Sequence, residues 1–266
     1  MSKNLNSRQM HPVRDAEASL NRRGITMRNA FFTTLLATSL ALPNWAAAAS
    51  SDIDMSKINT QTLFSGLVSD LGSALSYKAI TPAEPLGILG IDLGVEVSST
   101  KLNSDAVKIA AGGDGATTLL VPKVHVHKGL PLSLDVGAFV SAIPSSNIKA
   151  SGLELRYSFI EGSTVMPALA LRGTYSKLSG VDHLELKTNG LELTISKGFA
   201  MLTPYAGIGK VKVSGNTDYA NLSKETATLS KTYIGLNINL GLMNIVGETE
   251  KTGDSNTTSV KLGFRF

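Results

Sequence analysis

The chain has 266 residues, a formal charge of +4 and no cysteine, which excludes a disulfide scaffold, a lipoprotein anchor and thiolate chemistry. The positive charge belongs to the first 49 residues, which hold six of the 25 Lys/Arg and only two of the 21 Asp/Glu. From Ser50 onward 19 basic residues meet 19 acidic ones, so the basic pI makes no case for nucleic acid binding.

Arg22, Arg23 and Arg28 precede an apolar run from Phe31 to Leu42, followed by Pro43 and the small residues Ala46 to Ala49. These are the regions of a secretory signal peptide, with cleavage expected near Ala48 or Ala49. Met27 offers an alternative start, and Arg22-Arg23 an alternative twin-arginine signal. The apolar run is shorter than the roughly 20 residues a spanning helix takes, and no longer run occurs after it. The predicted organisation is a leader over 1–49, an amphipathic helix and linker over 50–87, and strands over 88–266.

Residues 54 to 75 carry Ile58, Leu63, Phe64, Leu67, Val68, Leu71 and Leu75 at helical spacing. Asp54 is placed to cap this helix, and Gly66 and Gly72 weaken it. The simplest position for it is packed on the periplasmic rim or mouth of a barrel formed by the strands. A plug inside the lumen and an anchor lying against lipid are the alternatives. Tyr77 to Gly87, with Pro82 and Pro85, reads as a linker.

From Ile88 the period becomes two. Strands are predicted at about 88–99, 119–128, 132–142, 148–160, 166–177, 183–197, 202–214, 225–240, 243–252 and 257–266. Two of them need comment. In the sixth, the apolar phase slips at Asn189-Gly190, from Leu184/Leu186 to Leu191/Leu193/Ile195, which predicts a bulge. In the seventh, Lys210 and Lys212 would each cost about 2–4 kcal/mol facing mid-bilayer lipid, which favours Val211 and Val213 pointing outward.

Alternate connections are short (129–131, 161–164, 198–201, 241–242), and the intervening ones are generally longer or more polar (100–117, 143–147, 178–182, 215–224, 253–256). Short periplasmic turns, longer external loops and an even strand number are the plan of a bilayer-spanning barrel. Tyr157, Phe159, Phe199, Phe264 and Phe266 then fall at periplasmic ends and Tyr175 near an external end; girdles are expected at both interfaces, and the external one is thin, with no Trp after the leader.

The last strand alternates Val260, Leu262, Phe264 and Phe266 with Ser259, Lys261, Gly263 and Arg265. A final Phe with apolar residues two, four and six places back resembles the C-terminal signal of bacterial outer-membrane β-barrel proteins. That resemblance implies recognition by the barrel-assembly machinery through Val260, Leu262, Phe264 and Phe266, and location in a Gram-negative outer membrane. The expected fold is all-β: a closed antiparallel up-and-down barrel of about ten strands with an N-terminal amphipathic helix after the signal peptide. Its closing strand should pair with the first, setting Lys261 and Arg265 against Asp92 and Glu96.

The inward face of this plan gathers Asp92, Glu96, Lys123, His125, His127, Asp135, Glu154, Arg156, Arg172, Glu192, Lys261 and Arg265. Mixed charge on a narrow interior reads as a salt-bridged filling, or as a slow porin-like path for a small solute. His125 and His127 share a face as metal-binding His-x-His pairs do, with Asp92, Glu96 or Asp135 as further ligands. Two histidines in the polar network are the simpler reading, and no cofactor is implied. Asp182-His183 is similar to the acid–histidine pairs of outer-membrane proteases. Lipid A-modifying barrels likewise pair an N-terminal helix with a barrel, but no motif of theirs is present. The expectation is a structural or slow small-solute pore in outer-membrane lipid, with an enzyme acting on lipid or peptide at the external rim as the alternative. An adhesin ranks last, since only Leu102 to Ala116 offers much loop surface.

Overall fold

The computed structural model describes residues 52–78, 80–113 and 117–266; the leader, its cleavage site and the alternative start lie outside them. Asp54 caps a short 3-10 turn, Met55–Lys57, its carboxylate accepting from the Ser56 amide at 3.0 Å. The α-helix proper starts later: Thr60 Oγ1 accepts from the Leu63 amide at 3.3 Å and opens α1, Gln61–Leu75. A second, five-residue helix, α2, Ala106–Ala110, sits in the first loop.

Ten strands realise the alternating pattern: β1 Ile91–Lys101, β2 Thr118–Leu130, β3 Leu134–Ala142, β4 Lys149–Ile160 and β5 Ala168–Ser179 form the first half. The second half is β6 Glu185–Ser196, β7 Leu202–Asn216, β8 Glu225–Leu240, β9 Met243–Thr252 and β10 Ser255–Arg265. Each pairs antiparallel with its neighbours, and β1 pairs with β10, so the sheet closes and leaves no edge. The register at the seam sets Asp92 opposite Arg265 and Glu96 opposite Lys261. Ile88–Gly90, expected as the start of the first strand, forms a turn instead, with Gly90 N–H donating to Gly87 O at 2.9 Å.

Along every strand the burial alternates. Leu93, Val95, Leu153, Leu155, Leu193, Ile234, Leu236, Val260, Leu262 and Phe264 point outward and are exposed, while the residues between them are enclosed. A closed sheet with an apolar outer face satisfies its backbone internally and meets hydrocarbon, the condition for crossing a bilayer with strands. The two longest connections, 102–117 and 217–224, lie at one end, which is therefore external. On the other side the β4–β5 connection, residues 161–167, is longer than expected.

Toward the external end the polarity inverts. The outward positions of β8 become Thr232, Ser230, Thr228 and Thr226, all exposed, and the inward residues become Leu119, Val121, Ala150, Leu178, Leu186, Val211 and Val213. What they enclose is α1. Phe64, Leu67, Val68, Leu71 and Ala74 are wholly buried among them. The helix is thus a lumenal plug in the external half, and the position on the periplasmic rim is not the one adopted. Its apolar stripe finds a matching apolar ring only at this level of the wall.

The same inversion corrects two local expectations. The sheet has no bulge at Asn189-Gly190: β6 stays in register with both neighbours through these residues. Leu186 faces inward to the plug and Leu191 outward to lipid, so the apolar phase changes because the lumen changes, and the backbone does not. Val211 and Val213 likewise face in, leaving Lys210 and Lys212 exposed. The lysines sit above the apolar belt, where the cost of a charge facing outward falls to about 0–1 kcal/mol. The register shift that does occur lies between β4 and β5, at Tyr157/Ile160.

Candidate functional site in the lumen

The site is built by the inward positions of the ten strands and by the segment that threads between them. Ile53 N–H donates to Asn147 Oδ1 at 2.9 Å and Asp54 N–H to Ala110 O at 3.1 Å, so the described chain begins among the external loops. From there α1 descends, and residues 76–78 and 80–86 continue along the lumen. The chain leaves at the periplasmic end, where Gly129 packs against Gly87. Gly72 and Gly215 permit this fit. A Cβ on Gly72 would lie 2.6 Å from Val213 Cγ2, and one on Gly215 3.3 Å from Val68 Cβ. The glycine that costs the helix propensity is the one that lets it approach the wall.

Below the helix the interior is ionic. Asp92 takes both seam cations, Lys261 at 2.9 Å and Arg265 at 2.7 Å. Glu96, although in register with Lys261, is occupied by Lys123 at 2.9 Å and by His125. Asp135 holds Arg156 at 2.6 Å. A longer chain of contacts crosses the barrel: Glu154 to Arg172 (3.3 Å), Arg172 to Glu192 (3.6 Å), Glu192 to Lys231 (2.7 Å), Lys231 to Glu250 (3.1 Å), and Glu250 to Lys78 of the threading segment (2.5 Å).

The threading segment has irregular backbone in a place without bulk water, so the wall must satisfy it. Arg156 donates to Thr81 Oγ1 (2.7 Å) and Pro82 O (2.6 Å), and Arg172 to Thr81 O (3.0 Å). Ser158 donates to Ala83 O, Ser196 accepts from Ala83 N–H, Asp135 accepts from Leu86 N–H, and Lys231 donates to Tyr77 O. Higher up, Asp70 accepts from the amides of Asn103 and Ser104 and fastens the helix to the first loop.

Asp92, Glu96, Lys123, His125, His127, Asp135, Glu154, Arg156, Arg172, Glu192 and Lys261 all face inward and none is more than 4 % exposed; Arg265 sits nearer the rim, its side chain 28 % exposed. A wall this dry is a filled interior. His127 shares a hydrogen bond with Tyr77 Oη (3.1 Å) and stacks on His125, whose own partner is Glu96. Each histidine uses its Nε2 in these contacts and keeps a buried Nδ1 without a hydrogen-bond partner, and among the described residues no group of three or more His, Cys, Asp or Glu is placed to hold a metal.

Several members escaped the sequence reading. Lys78 lay in a stretch read as linker, and Lys231 lies one alternation beyond the inward run ending at Tyr233. Glu248 and Glu250 share a face with Val246, whose apolar character masks the phase of β9. Tyr205 donates to Glu248 at 2.8 Å, and its ring covers Gly235 while Tyr233 covers Gly207 across the strand pair. In the external loops His183 pairs with Asp218 at 2.8 Å, and not with its neighbour Asp182 as the sequence pattern proposed. The backbone of His183 is left-handed (φ 61°), which aims the ring across the gap to the β7–β8 loop. That hydrogen bond holds the imidazole above its ordinary pKa and Asp218 below its own.

No protein-family profile and no curated protein matches the chain. Among solved structures it is similar to the KdgM porin in complex with disordered oligogalacturonate (9 % identity, 67 % of this chain, 99 % of that one, TM-score 0.35). It is also similar to Neisserial surface protein A (9 %, 66 % and 94 %, 0.30) and to a loop-deletion mutant of OmpT, an outer membrane protein of Vibrio cholerae (11 %, 55 % and 54 %, 0.31). The chain spans about half the length of the last. Likenesses at this level carry no inference about activity. The closed ten-stranded wall, its apolar outer belt and its polar interior give this chain the fold of a bilayer-spanning β-barrel.

Proposed function

We propose that the protein is a closed barrel whose permeability is governed by its own N-terminal segment: structural at rest, and passing small solutes slowly when residues 52–86 shift. The observation that carries this reading is the dryness of the ionic wall, whose inward charges are held by one another, by Tyr205 or by the threading backbone. A permanent pore would leave such groups wet. A lock tests it, since the chain has no cysteine of its own. With 3.3 Å between Val68 Cβ and a Cβ built on Gly215, the pair Val68→Cys/Gly215→Cys lies near disulfide geometry. Proteoliposomes bearing the reduced variant should leak a small solute faster than those bearing the oxidised one. Equal leakage in both states removes the helix as the gate.

A second reading, an enzyme acting on lipid or peptide at the external rim, is favoured by the His183–Asp218 pair alone. An imidazole held by a carboxylate is a general-base arrangement. If His183→Ala and Asp218→Asn leave ester and peptide hydrolysis by intact cells unchanged, this reading loses its only carrier.

A further inference from the structure

The outward face of β4–β7 is ordered by height. From the periplasmic end it presents Phe159, Tyr157, Leu155 and Leu153 on β4; Leu169, Leu171 and Tyr175 on β5; Ile195, Leu193 and Leu191 on β6; and Leu202 and Ile208 on β7. Immediately above this apolar belt the same four strands carry Lys149, Lys177, Lys187, Lys212 and Lys210, all exposed. The register makes them contiguous. Lys177 stands directly opposite Lys187, Lys149 is diagonal to Lys177, and Lys212 is diagonal to Lys187. One acid shares this face, Glu185, 3.6 Å from Lys187.

Like charges directly opposite in a sheet destabilise it, so this arrangement carries a cost that a folded barrel in water has no reason to bear. In the membrane the cost has a use. The stripe crosses four strands, about 14 Å at the usual strand spacing, and lies where the hydrocarbon gives way to headgroups. Long lysine stems can lie along the apolar belt while their ammonium groups reach the headgroup plane. We propose that Lys149, Lys177, Lys187, Lys210 and Lys212 form a docking surface for a multiply phosphorylated lipid headgroup in the external leaflet, with Lys177 and Lys187 sharing one phosphate and Lys210 and Lys212 taking another. The site lies outside the lumen and is independent of how the plug behaves. It fixes the height and rotation of the barrel in an anionic leaflet.

The test is binding of a fluorescent bisphosphorylated lipid A to the full-length barrel in phosphatidylcholine nanodiscs. The wild type is compared with Lys177→Gln/Lys187→Gln/Lys212→Gln, and with Lys251→Gln, an outward lysine outside the stripe. At about fivefold per lysine, the triple variant should bind roughly 100-fold more weakly, Lys251→Gln within twofold of wild type, and a dephosphorylated probe much more weakly to all. All three replaced side chains are exposed, and a heat-modifiable gel shift verifies that the variant folds. Triple-variant binding within threefold of wild type overturns the proposal. So does an equal loss on Lys251→Gln, which would mean diffuse charge attraction, or undiminished binding of the dephosphorylated probe.

Discussion

Arg172→Met removes the cation at the centre of the longest ionic chain. Arg172 lies 3.3 Å from Glu154 and 3.6 Å from Glu192, and its guanidinium also holds Thr81 O at 3.0 Å. The two acids respond differently. Glu192 keeps Lys231 at 2.7 Å, whereas the ion pair that Glu154 makes among the described residues is with Arg172 alone. The variant therefore strands one buried carboxylate and loses the two charge-assisted bonds to Thr81 of the threading segment. Breaking a buried pair on one side costs about 3–5 kcal/mol, while replacing both partners with neutral groups of similar size is close to neutral. Urea titration in lipid vesicles, read by gel mobility of the folded form, should show a loss in that range for Arg172→Met. Glu154→Gln/Arg172→Met should recover most of it. A single-variant loss under about 1 kcal/mol, or a double variant as unstable as the sum of the singles, refutes the account of the lumen as an interdependent ionic filling.

Three further outcomes rest on particular contacts. Ser56→Cys, exposed at the external end, should react with a membrane-impermeant maleimide on intact cells, and Leu242→Cys in a periplasmic turn only after lysis; the reverse pattern inverts the topology. Gly72→Leu drives a side chain into Val213 and should cost about 1–3 kcal/mol, loosening α1 with a rise in solute leakage, whereas unchanged stability and leakage would deny the close fit of helix to wall. In NMR titration His183 should have a pKa above the ordinary 6.5, returning toward it in Asp218→Asn, because the hydrogen bond to Asp218 favours the imidazolium. With His183 raised and Asp218 lowered below 3.8, the loop contact is full between about pH 4 and 6.5; it fades as pH rises through the raised histidine value or falls through the lowered carboxylate value.

The barrel was legible because lipid and lumen impose opposite demands on successive residues, and β1, β4 and β10 state that contrast in single letters. It was less legible wherever the lumen stopped being polar. At Leu186, Val211 and Val213 an apolar residue inside and a polar one outside look like a slipped phase, although the geometry is unbroken. Only the presence of α1 behind them explains the pattern. The placement of α1 itself was hidden because an amphipathic stripe states that a helix is buried against something and not which surface it meets. Lys78 was unreadable for a related reason: a lone lysine just ahead of two prolines looks solvated until Glu250 is seen facing it. The seam was readable as strand pairing and in part as ion pairing: Arg265 meets the Asp92 opposite it, whereas Lys261 stands opposite Glu96 yet reaches Asp92.

The most direct test is single-channel recording in planar bilayers of the full-length mature barrel and of the same protein lacking residues 52–86. The account predicts long silence with rare, small openings for the intact chain and a steady conductance once the segment that occupies the lumen is gone. A steady, equal conductance in both would contradict it, because the helix and the threading segment would then not be what closes the barrel.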